Sequence, residues 1–261
     1  MNAPAPGGAI TIASKRISRL GLGTMRLTGP GTWGTPNDTT NAITVLRQAM
    51  TMGITHLDTA DAYGPHTVED LIRQALHPYP DNLLLATKVG MIRPGPNMWK
   101  PLGRPDYLRA ATEASLRRLA VDRIDLCYLH RVDPTIPLAD QIGALADLQT
   151  EGKIAAIGLS KVTPEHIRQA CEVTSIAAVQ NCLNLDEPDD PALAYCADNN
   201  IPYVPYRPLN AGRLAATAGV EKSLSWLLDL GEHVAPIPAT SNPQHLSALV
   251  QAASQHLPRA H

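Results

Sequence analysis

The stretch "THLDTADAYGPHTVEDLIRQALHPYPDNLLLATKV", residues 55–89, contains a complete strand–helix–strand unit. Its two apolar runs, residues 55–60 and 83–89, are too short for helices and nearly continuous in apolar character, which is typical of parallel strands covered on both faces. The apolar residues between them follow the helical spacing i, i+3, i+4, i+7 and i+8: Val68, Leu71, Ile72, Ala75 and Leu76. This stretch therefore predicts a strand, an amphipathic helix and a second, parallel strand.

The same unit recurs along the chain. Eight short apolar runs alternate with amphipathic segments, at residues 18–24, 55–60, 83–89, 124–130, 154–160, 177–183, 202–207 and 234–239. Four prolines stand where a first helical turn should begin, a position that tolerates a missing N–H: Pro105, Pro137, Pro164 and Pro243. Thr163 and Asn242 precede two of them as candidate N-caps. Eight strand–helix units predict a closed (β/α)8 TIM barrel of the α/β class.

The segments outside the repeated unit are short. "AITIASKRI", residues 9–17, alternates in polarity around Ser14 and Lys15, and it predicts a small β-hairpin positioned to plug the bottom of the barrel. The Pro-, Gly- and Ala-rich residues before it predict a flexible N-terminus over residues 1–9. We expect one barrel domain over residues 10–261, since no low-complexity linker divides the chain.

Composition excludes several classes of function. The 261 residues carry a net charge of −2 with 18% charged residues, so there is no electrostatic bias toward nucleic acid. The sequence has neither a signal peptide pattern nor eighteen consecutive apolar residues, so we expect no membrane span. The four cysteines form no CxxC pair, which predicts reduced thiols and a cytoplasmic protein. No spacing of His, Cys and carboxylate residues predicts a metal site.

Four polar residues lie at the carboxyl ends of consecutive predicted strands, which form the active-site face of such a barrel. Asp58 ends the second strand, Tyr63 follows in its loop, Lys88 ends the third strand and His130 ends the fourth. Each has an ordinary structural explanation by itself: a cap, a packed ring, an ion-pair partner or a hydrogen-bonded core histidine. Their convergence on one rim favours catalysis, because burying all four for packing alone would carry a desolvation cost.

The chemistry of these side chains predicts the reduction of a carbonyl group. Tyr63, with an ordinary pKa of about 10, becomes a better proton donor when the Lys88 ammonium lies close and lowers that pKa. Asp58 can hold Lys88 charged and oriented, and His130 can donate a hydrogen bond to the carbonyl oxygen as negative charge develops there. Tyr63 is then the general acid in reduction and the general base in alcohol oxidation.

The order of these residues resembles the Asp, Tyr, Lys and His tetrad of the aldo-keto reductase family. The segments "HLDTADAYG", "TKVG", "LH", "IGLS", "VQNCLN" and "YVPYRPL" resemble further landmarks of that family, and the resemblance extends over about residues 15–253. "GPGTWG", "YGPH" and "PYRPL" are most similar to a bacterial branch that includes pyridoxal reductase-like enzymes. The resemblance implies a (β/α)8 barrel and an NAD(P)H-dependent oxidoreductase that reduces aldehydes or ketones to alcohols.

The resemblance also implies an extended NADPH site without a Rossmann domain. The implied cofactor residues are Gly23, Thr24, Met25 and Asp58 near the nicotinamide, Ser160 and Gln180 on its carboxamide, Tyr206 on its ring, and Arg207, Leu209 and Gly212 within the stretch 207–213 over the pyrophosphate. The adenosine phosphate would be held at the start of the last helix, where free N–H groups favour anions. The residues implied there are Thr240, Ser241, Asn242, Gln244 and His245.

Two further features bear on cofactor and substrate. The segment 240–245 lacks the Arg or Lys typical of the family, so NADH is a possible cofactor beside NADPH. Trp33 and Trp99, in Gly/Pro-rich loops on the active-site side, are candidate substrate-pocket residues together with Tyr63 and His130. The C-terminal loops are short for the family, which predicts an open pocket or a site completed by a partner.

We expect an enzyme that acts on a small-molecule carbonyl substrate, as a monomer or small homo-oligomer. One alternative is a cofactor-binding regulatory or partner subunit with the same fold and little turnover, which turnover of a simple aldehyde would exclude. Another treats Lys88 as the Schiff-base nucleophile of an aldolase-like barrel. Asp58 disfavours that alternative because it would keep the amine protonated, and borohydride trapping on Lys88 would support it.

Overall fold

A computed structural model describes residues 4–256 of the chain. The strands are β1 (Ala9–Ile12), β2 (Lys15–Ser18), β3 (Leu22–Gly23), β4 (His56–Asp58), β5 (Leu84–Val89), β6 (Met91–Ile92), β7 (Lys100–Pro101), β8 (Leu126–Leu129), β9 (Ile157–Ser160) and β10 (Ile176–Gln180). The helices are α1 (Thr39–Thr51), α2 (Thr67–Leu76), α3 (Pro105–Leu119), α4 (Leu138–Thr150), α5 (Pro164–Cys171), α6 (Pro191–Asp198), α7 (Arg213–Thr217), α8 (Val220–Asp229) and α9 (Pro243–Gln255). Short 3-10 turns cover Pro30–Thr32 and Asn210–Gly212.

Six of the predicted barrel strands form one parallel sheet. They pair in the order β3, β4, β5, β8, β9 and β10, which is their order along the chain. Helices alternate with these strands, as expected of repeated strand–helix units. The carboxyl ends of all six strands therefore lie on one face of the sheet.

Residues 202–207 and 234–239 close the sheet into a barrel through single bridges rather than full ladders. Tyr203 bridges Val179 on one side and Val234 on the other, and Gly23 of β3 bridges Ala239. Each segment contains two prolines, which lack the N–H that a continuous ladder needs. The predicted (β/α)8 barrel is confirmed, with its last two strands held by alternate hydrogen bonds.

The N-terminal hairpin is confirmed and plugs one end of the barrel. Strands β1 and β2 pair antiparallel, and their turn is at Ala13 and Ser14, both with positive φ, one residue earlier than predicted. Ile10, Ile12 and Ile17 pack inside the barrel against side chains from the first residues of its strands, including Leu84 and Leu126. The hairpin therefore fills the end opposite the carboxyl ends of the strands.

The flexible N-terminus stays a prediction. Its residues 1–3, like residues 257–261 at the end of the expected barrel domain, lie outside the described residues. Within the described part, the amides of Arg19 and Leu20 donate hydrogen bonds to the carbonyls of Gly8 and Pro6, at 2.9 and 3.1 Å. Residues 6–8 are thus connected to the barrel by backbone hydrogen bonds.

The helices begin largely as their sequences predict. Thr163 Oγ1 accepts a hydrogen bond from His166 N, and Asn242 Oδ1 caps α9, so both predicted N-caps are confirmed. Pro137 occupies the cap position itself, because α4 begins one residue later at Leu138. Apolar faces of the helices cover the outside of the sheet and form two large core clusters. Within residues 4–256, no helix is both long enough and apolar enough to cross a membrane.

Candidate active site

Asp58 and Lys88 form a buried ion pair at the carboxyl ends of β4 and β5. Lys88 Nζ lies 2.5 Å from Asp58 Oδ1 and donates a second hydrogen bond of 2.8 Å to the carbonyl of Thr59. Burial lowers the pKa of Lys88, but Asp58 and Tyr63 outweigh it and raise that pKa above its usual value. Burial raises the pKa of Asp58. Part of this rise is offset by the charge and hydrogen bond of Lys88 and by the hydrogen bond from Gln180. Lys88 is therefore a charged ammonium held by a carboxylate.

Tyr63 lies beside this ion pair in the loop after β4. The Lys88 Nζ atom is 5.3 Å from the centroid of the Tyr63 ring. Burial raises the pKa of Tyr63 above its usual value of 10.0, and the Lys88 ammonium lowers it by a smaller amount. Lys88 therefore lowers the pKa of Tyr63 as the sequence predicts, but loss of hydration has the larger effect, so the net shift is upward. The phenol keeps its proton at neutral pH, as a proton donor must.

His130 follows β8 and completes the predicted group of four. Its ring centroid is 6.0 Å from that of Tyr63, and its backbone N–H donates to the carbonyl of Val89 at 2.8 Å. Burial, together with the positive charges of Lys88, Arg131 and Arg93, lowers the pKa of His130 well below 6.5. The imidazole is therefore neutral and can donate one N–H, as a hydrogen-bond donor to a carbonyl oxygen requires.

Several of the residues implied for the nicotinamide end lie around Asp58 and hydrogen-bond to it or to neighbouring backbone groups. Gln180 Nε2 donates a 2.7 Å hydrogen bond to Asp58 Oδ2, so its amide nitrogen orients Asp58 in this structure. Thr24 Oγ1 donates to the Asp58 carbonyl at 2.9 Å. Gly23 is buried and donates its amide to the carbonyl of Pro238 at 2.9 Å, and Met25 packs, half-buried, against the core. The residues implied on β3, its loop and β10 therefore surround Asp58.

Ser160 and Tyr206 are brought together by an arginine. Ser160 Oγ accepts a hydrogen bond from Arg131 at 3.1 Å. The Arg131 guanidinium carbon lies 5.8 Å from the centroid of the Tyr206 ring. Polar groups from several segments thus surround the carboxyl ends of β4, β9 and β10.

The segment 207–213 is anchored at both of its edges. The implied cofactor residues on it are Arg207, Leu209 and Gly212. Arg26, from the loop after β3, donates a 3.1 Å hydrogen bond to the carbonyl of Ala211. On the other edge, Arg213 forms an ion pair with Asp186 from the loop after β10. The segment therefore bridges loops on two sides of the barrel mouth.

The start of α9 differs from the expectation in one respect. Asn242 Oδ1 accepts hydrogen bonds from the amides of Gln244 and His245, at 2.8 and 3.3 Å, so these two N–H groups are not free for a phosphate. Thr240 Oγ1 in turn accepts from Asn242 N at 3.0 Å. The side chains of Ser241, Gln244 and His245 are exposed at the start of the helix. This segment therefore offers an anion side-chain donors rather than these two backbone amides.

Aromatic side chains line the mouth above the four residues. Trp99 lies with its ring centroid 6.4 Å from that of Tyr63 and 6.3 Å from that of His130. Arg93 lies beside both tryptophans, with its guanidinium carbon 3.7 Å from the Trp99 ring centroid and 5.8 Å from that of Trp33. The two predicted substrate-pocket tryptophans are therefore brought to the same mouth as Tyr63 and His130.

Three arginines near this mouth are absent from the residues that the sequence predicts for the site: Arg26, Arg93 and Arg131. Each comes a few residues after the end of a strand, in "GTMRL", "VGMIRPG" and "YLHRV". A basic residue so close to the carboxyl end of a barrel strand is the signal that could have found them.

The described residues also show where possible metal ligands and thiols lie. Among residues 4–256, no three or more His, Cys, Asp or Glu side chains are grouped so that they could hold a metal ion. Cys127 is buried in β8, and burial raises the pKa of its thiol to about 12. This thiol is a packed core group rather than a nucleophile.

Comparison with known proteins identifies the family of this chain. The model of the aldo/keto reductase family matches residues 19–223, which include all four clustered residues and the strands that carry them. The chain belongs to the aldo/keto reductase family. The resemblance predicted from the sequence is thereby confirmed.

Two relatives share 38% of their aligned residues with this chain. An uncharacterised oxidoreductase of Schizosaccharomyces pombe aligns over 96% of this chain and 86% of its own length. Pyridoxine 4-dehydrogenase of Escherichia coli aligns over 95% of this chain and 93% of its own length. Among solved structures, a glycerol dehydrogenase of Gluconobacter oxydans superposes with a TM-score of 0.85 at 26% identity, over 97% of this chain and 92% of that one.

Aldo/keto reductases use nicotinamide cofactors, and the donor groups of this chain suit such a molecule. Arg26, Arg207 and Arg213 lie on or against the segment 207–213, and Arg131 lies between Ser160 and the Tyr206 ring. Guanidinium groups bind phosphate oxygens well because their N–H groups form a planar fork. The residues present are therefore compatible with a diphosphate next to a nicotinamide.

Proposed function

We propose that this aldo/keto reductase converts an aldehyde or ketone to an alcohol with NADPH, and that Tyr63 is its proton donor. The observation that carries the proposal is the buried Lys88–Asp58 ion pair, whose ammonium lies 5.3 Å from the Tyr63 ring centroid. A charged group so placed favours the phenolate that forms once the proton has left. Burial keeps the phenol protonated until that moment.

The other residues have complementary proposed roles. Asp58 holds Lys88 charged, and Gln180 holds Asp58 through its 2.7 Å hydrogen bond. His130, as a neutral imidazole, donates a hydrogen bond to the substrate carbonyl oxygen. The nicotinamide cofactor, when bound, supplies the hydride. Tyr63 then donates its proton to the same oxygen.

We also propose which residues contact each part of the cofactor. Ser160 and the carbonyl oxygen of the Gln180 side chain would contact the carboxamide, and Tyr206 would stack on the nicotinamide ring. Arg26 and the segment 207–213 would contact the pyrophosphate. The side chains of Ser241, Gln244 and His245 would contact the adenosine end, since the first amides of α9 are already bound to Asn242.

Two observations, the charge of Lys88 and the grouping of polar side chains around it, argue against the two alternatives. A Schiff-base lysine must lose its proton to attack a carbonyl, whereas Asp58 and Tyr63 raise the pKa of Lys88. A regulatory subunit would have no need to keep an ammonium, a phenol and an imidazole together in a desolvated site. Because the E. coli relative is named for pyridoxine, we include pyridoxal among the test substrates.

Replacing Tyr63 with Phe tests the proposal. We expect wild-type protein to bind NADPH and to reduce members of a panel of aldehydes that includes pyridoxal. Tyr63→Phe should bind NADPH with a dissociation constant within about twofold of wild type, but lose roughly 10²-fold or more of its turnover, because only the proton is missing. Fluorescence titration with NADPH and NADH and absorbance decay of the cofactor measure the two quantities.

Tyr79→Phe is the matched control. Its hydroxyl donates a 2.7 Å hydrogen bond to the carbonyl of Leu119, remote from the mouth, so its loss should leave turnover unchanged. Wild-type turnover in Tyr63→Phe would refute the assignment of the acid. Cofactor binding without turnover of any aldehyde would instead favour the regulatory subunit.

A further inference from the structure

Arg93 is a buried cation without a carboxylate partner among residues 4–256. It follows the short strand β6, in the loop that connects β6 to β7, and is only 8% exposed. None of the ion pairs in the described part of the chain involves Arg93. Burying a guanidinium is costly unless its donors are satisfied, so the groups that satisfy it indicate what it does.

Its donors are bound by carbonyls from three separate loops. Nε donates to Met98 O at 2.8 Å within its own hairpin, and Nη2 donates to Gly31 O at 2.9 Å in the loop after β3. Nη1 donates to Thr32 O at 2.8 Å and to Ala62 O at 2.9 Å. Four charge-assisted hydrogen bonds thus join the loops that follow the first three barrel strands.

Two of these contacts act on groups of the proposed active site. Ala62 immediately precedes Tyr63, so the Nη1 bond holds the backbone from which the proposed acid projects. The guanidinium carbon also lies 3.7 Å from the Trp99 ring centroid, and Trp99 in turn contacts the rings of Tyr63 and His130. Displacing Arg93 would therefore move the wall of the mouth and the proton donor together.

We propose that Arg93 is a positioning residue that assembles three loops into one aromatic mouth, and that this mouth selects aromatic aldehydes over small aliphatic ones. The inference rests on the proposed carbonyl reduction. The mouth is lined by four planar side chains, those of Trp33, Trp99, Tyr63 and His130. A substrate with a flat ring makes more favourable contacts with such walls than a substrate without one. A small aliphatic aldehyde reaches the same acid but makes few of these contacts.

The experiment compares kcat and KM for benzaldehyde and propanal in wild type and in Arg93→Lys. Lysine keeps the charge but cannot bond three loops or stack flat on Trp99. We expect a roughly 10- to 100-fold loss of kcat/KM for benzaldehyde, the scale of a misplacement of about 1 Å. The loss for propanal should be several-fold smaller, and the NADPH dissociation constant should stay within about twofold of wild type.

Arg19→Lys is a closely matched control. Arg19 is also buried and also donates to backbone carbonyls, those of Leu228, Gly231 and Val234, but at the opposite end of the barrel. Its replacement should lower the melting temperature and leave the ratio of the two kcat/KM values unchanged. A second variant, Trp99→Leu, should also lose the preference for benzaldehyde, and it tests the inference even if Arg93→Lys folds poorly. The double variant should lose less kcat/KM for benzaldehyde, in free-energy terms, than the sum of the two single variants.

The outcomes separate this inference from the proposed function. If wild-type protein reduces neither aldehyde nor any other carbonyl compound, both are wrong. If wild type reduces aldehydes but Arg93→Lys loses both substrates equally, or loses only thermal stability, the inference about Arg93 is wrong and the proposed function stands. An unchanged preference in Trp99→Leu would likewise overturn the selection of aromatic substrates.

Discussion

At the scale of the residue, the chemistry of Tyr63 depends on two opposing effects. Burial raises the pKa of the phenol above 10.0, and the Lys88 ammonium lowers it by less. The imidazole of His130 has its pKa lowered well below 6.5 by burial and by neighbouring positive charges. The proposed acid is therefore protonated, and the proposed hydrogen-bond donor neutral, across the neutral range.

This predicts the pH dependence of reduction. A proton donor is active below its pKa and loses activity as the pH rises through it. Because burial raises the pKa of Tyr63, we expect kcat/KM for aldehyde reduction to be nearly constant between about pH 7 and about pH 10, and to fall only above about pH 10, where an ordinary phenol ionises. Initial rates in buffers of constant ionic strength check this.

Replacing Lys88 provides the internal comparison. Because Lys88 lowers the pKa of Tyr63, the residual activity of Lys88→Met should lose its alkaline limb or show it at higher pH. A decline in wild-type kcat/KM with a midpoint near neutrality would contradict the environment described for Tyr63.

At the scale of the element, the closure of the barrel depends on a close approach at Gly21, next to β3. A Cβ atom at this position would lie 2.7 Å from His56 Nδ1 and 2.8 Å from Ile237 Cγ2. The Gly21 amide also donates a 2.9 Å hydrogen bond to Pro236 O in the last barrel segment. Since that segment has no full ladder, this contact is one of few that hold it to β3.

Gly21→Ala should therefore destabilise the protein. The overpacked methyl group must displace His56 or Ile237, and we expect a loss of about 1–3 kcal/mol in the free energy of unfolding, measured by denaturant titration. Gly143→Ala is the control, because a Cβ atom there meets no atom within 4 Å and the residue lies in α4. It should stabilise the protein by about 0.5–1 kcal/mol. Equal stability of the two variants would mean that β3 and the last segment are less tightly packed than described.

The elements themselves are largely predictable from the sequence. Strands and helices can be recognised from the periodicity of their apolar residues and from their capping residues, which are local in sequence. Six strands, the hairpin and the N-caps Thr163 and Asn242 can therefore be found without tertiary information. The weak pairing of residues 202–207 and 234–239 has a local cause as well, in prolines that lack an N–H. The alternation in polarity predicts both hairpin strands but places their turn one residue late, because Ala13 rather than Lys15 takes the positive φ beside Ser14.

At the scale of the whole molecule, a buried carboxyl outside the proposed site influences stability. Asp61 is 1% exposed, and neither of its carboxyl oxygens has a hydrogen-bond partner among the described residues. Burial, with the nearby charge of Glu69, raises the pKa of Asp61 well above 3.8. The folded protein thus keeps a proton that the unfolded chain releases at about pH 4.

The sign of the pH effect follows from this difference. A carboxyl whose pKa is raised on folding contributes its full stability below its unfolded pKa, and that stability is lost as the pH rises through the folded pKa. The loss reaches about 1.4 kcal/mol for each pH unit between the two values. Asp61→Asn carries no such proton, so we expect the variant to gain stability relative to wild type at pH 8 and much less at pH 5.

Denaturant titrations of both proteins at the two pH values measure this difference. His56, whose pKa is lowered to about 3 by burial, makes the fold less stable as the pH falls below about 6.5. His56 is present in both proteins, so its effect cancels in the comparison. A difference between wild type and Asp61→Asn that does not change with pH would show that Asp61 titrates normally.

The sequence by itself determined the α/β barrel, the family and the grouping of Asp58, Tyr63, Lys88 and His130 at one end of the barrel. These follow from patterns that are local along the chain, or from the rule that strand ends of a parallel barrel share one face. Only the tertiary structure decided that Gln180 bonds to Asp58 from 122 positions away, that Arg93 joins three loops, and that burial outweighs Lys88 at Tyr63. Those outcomes depend on distances between remote segments and on loss of hydration, and neither quantity is encoded in any short stretch of sequence.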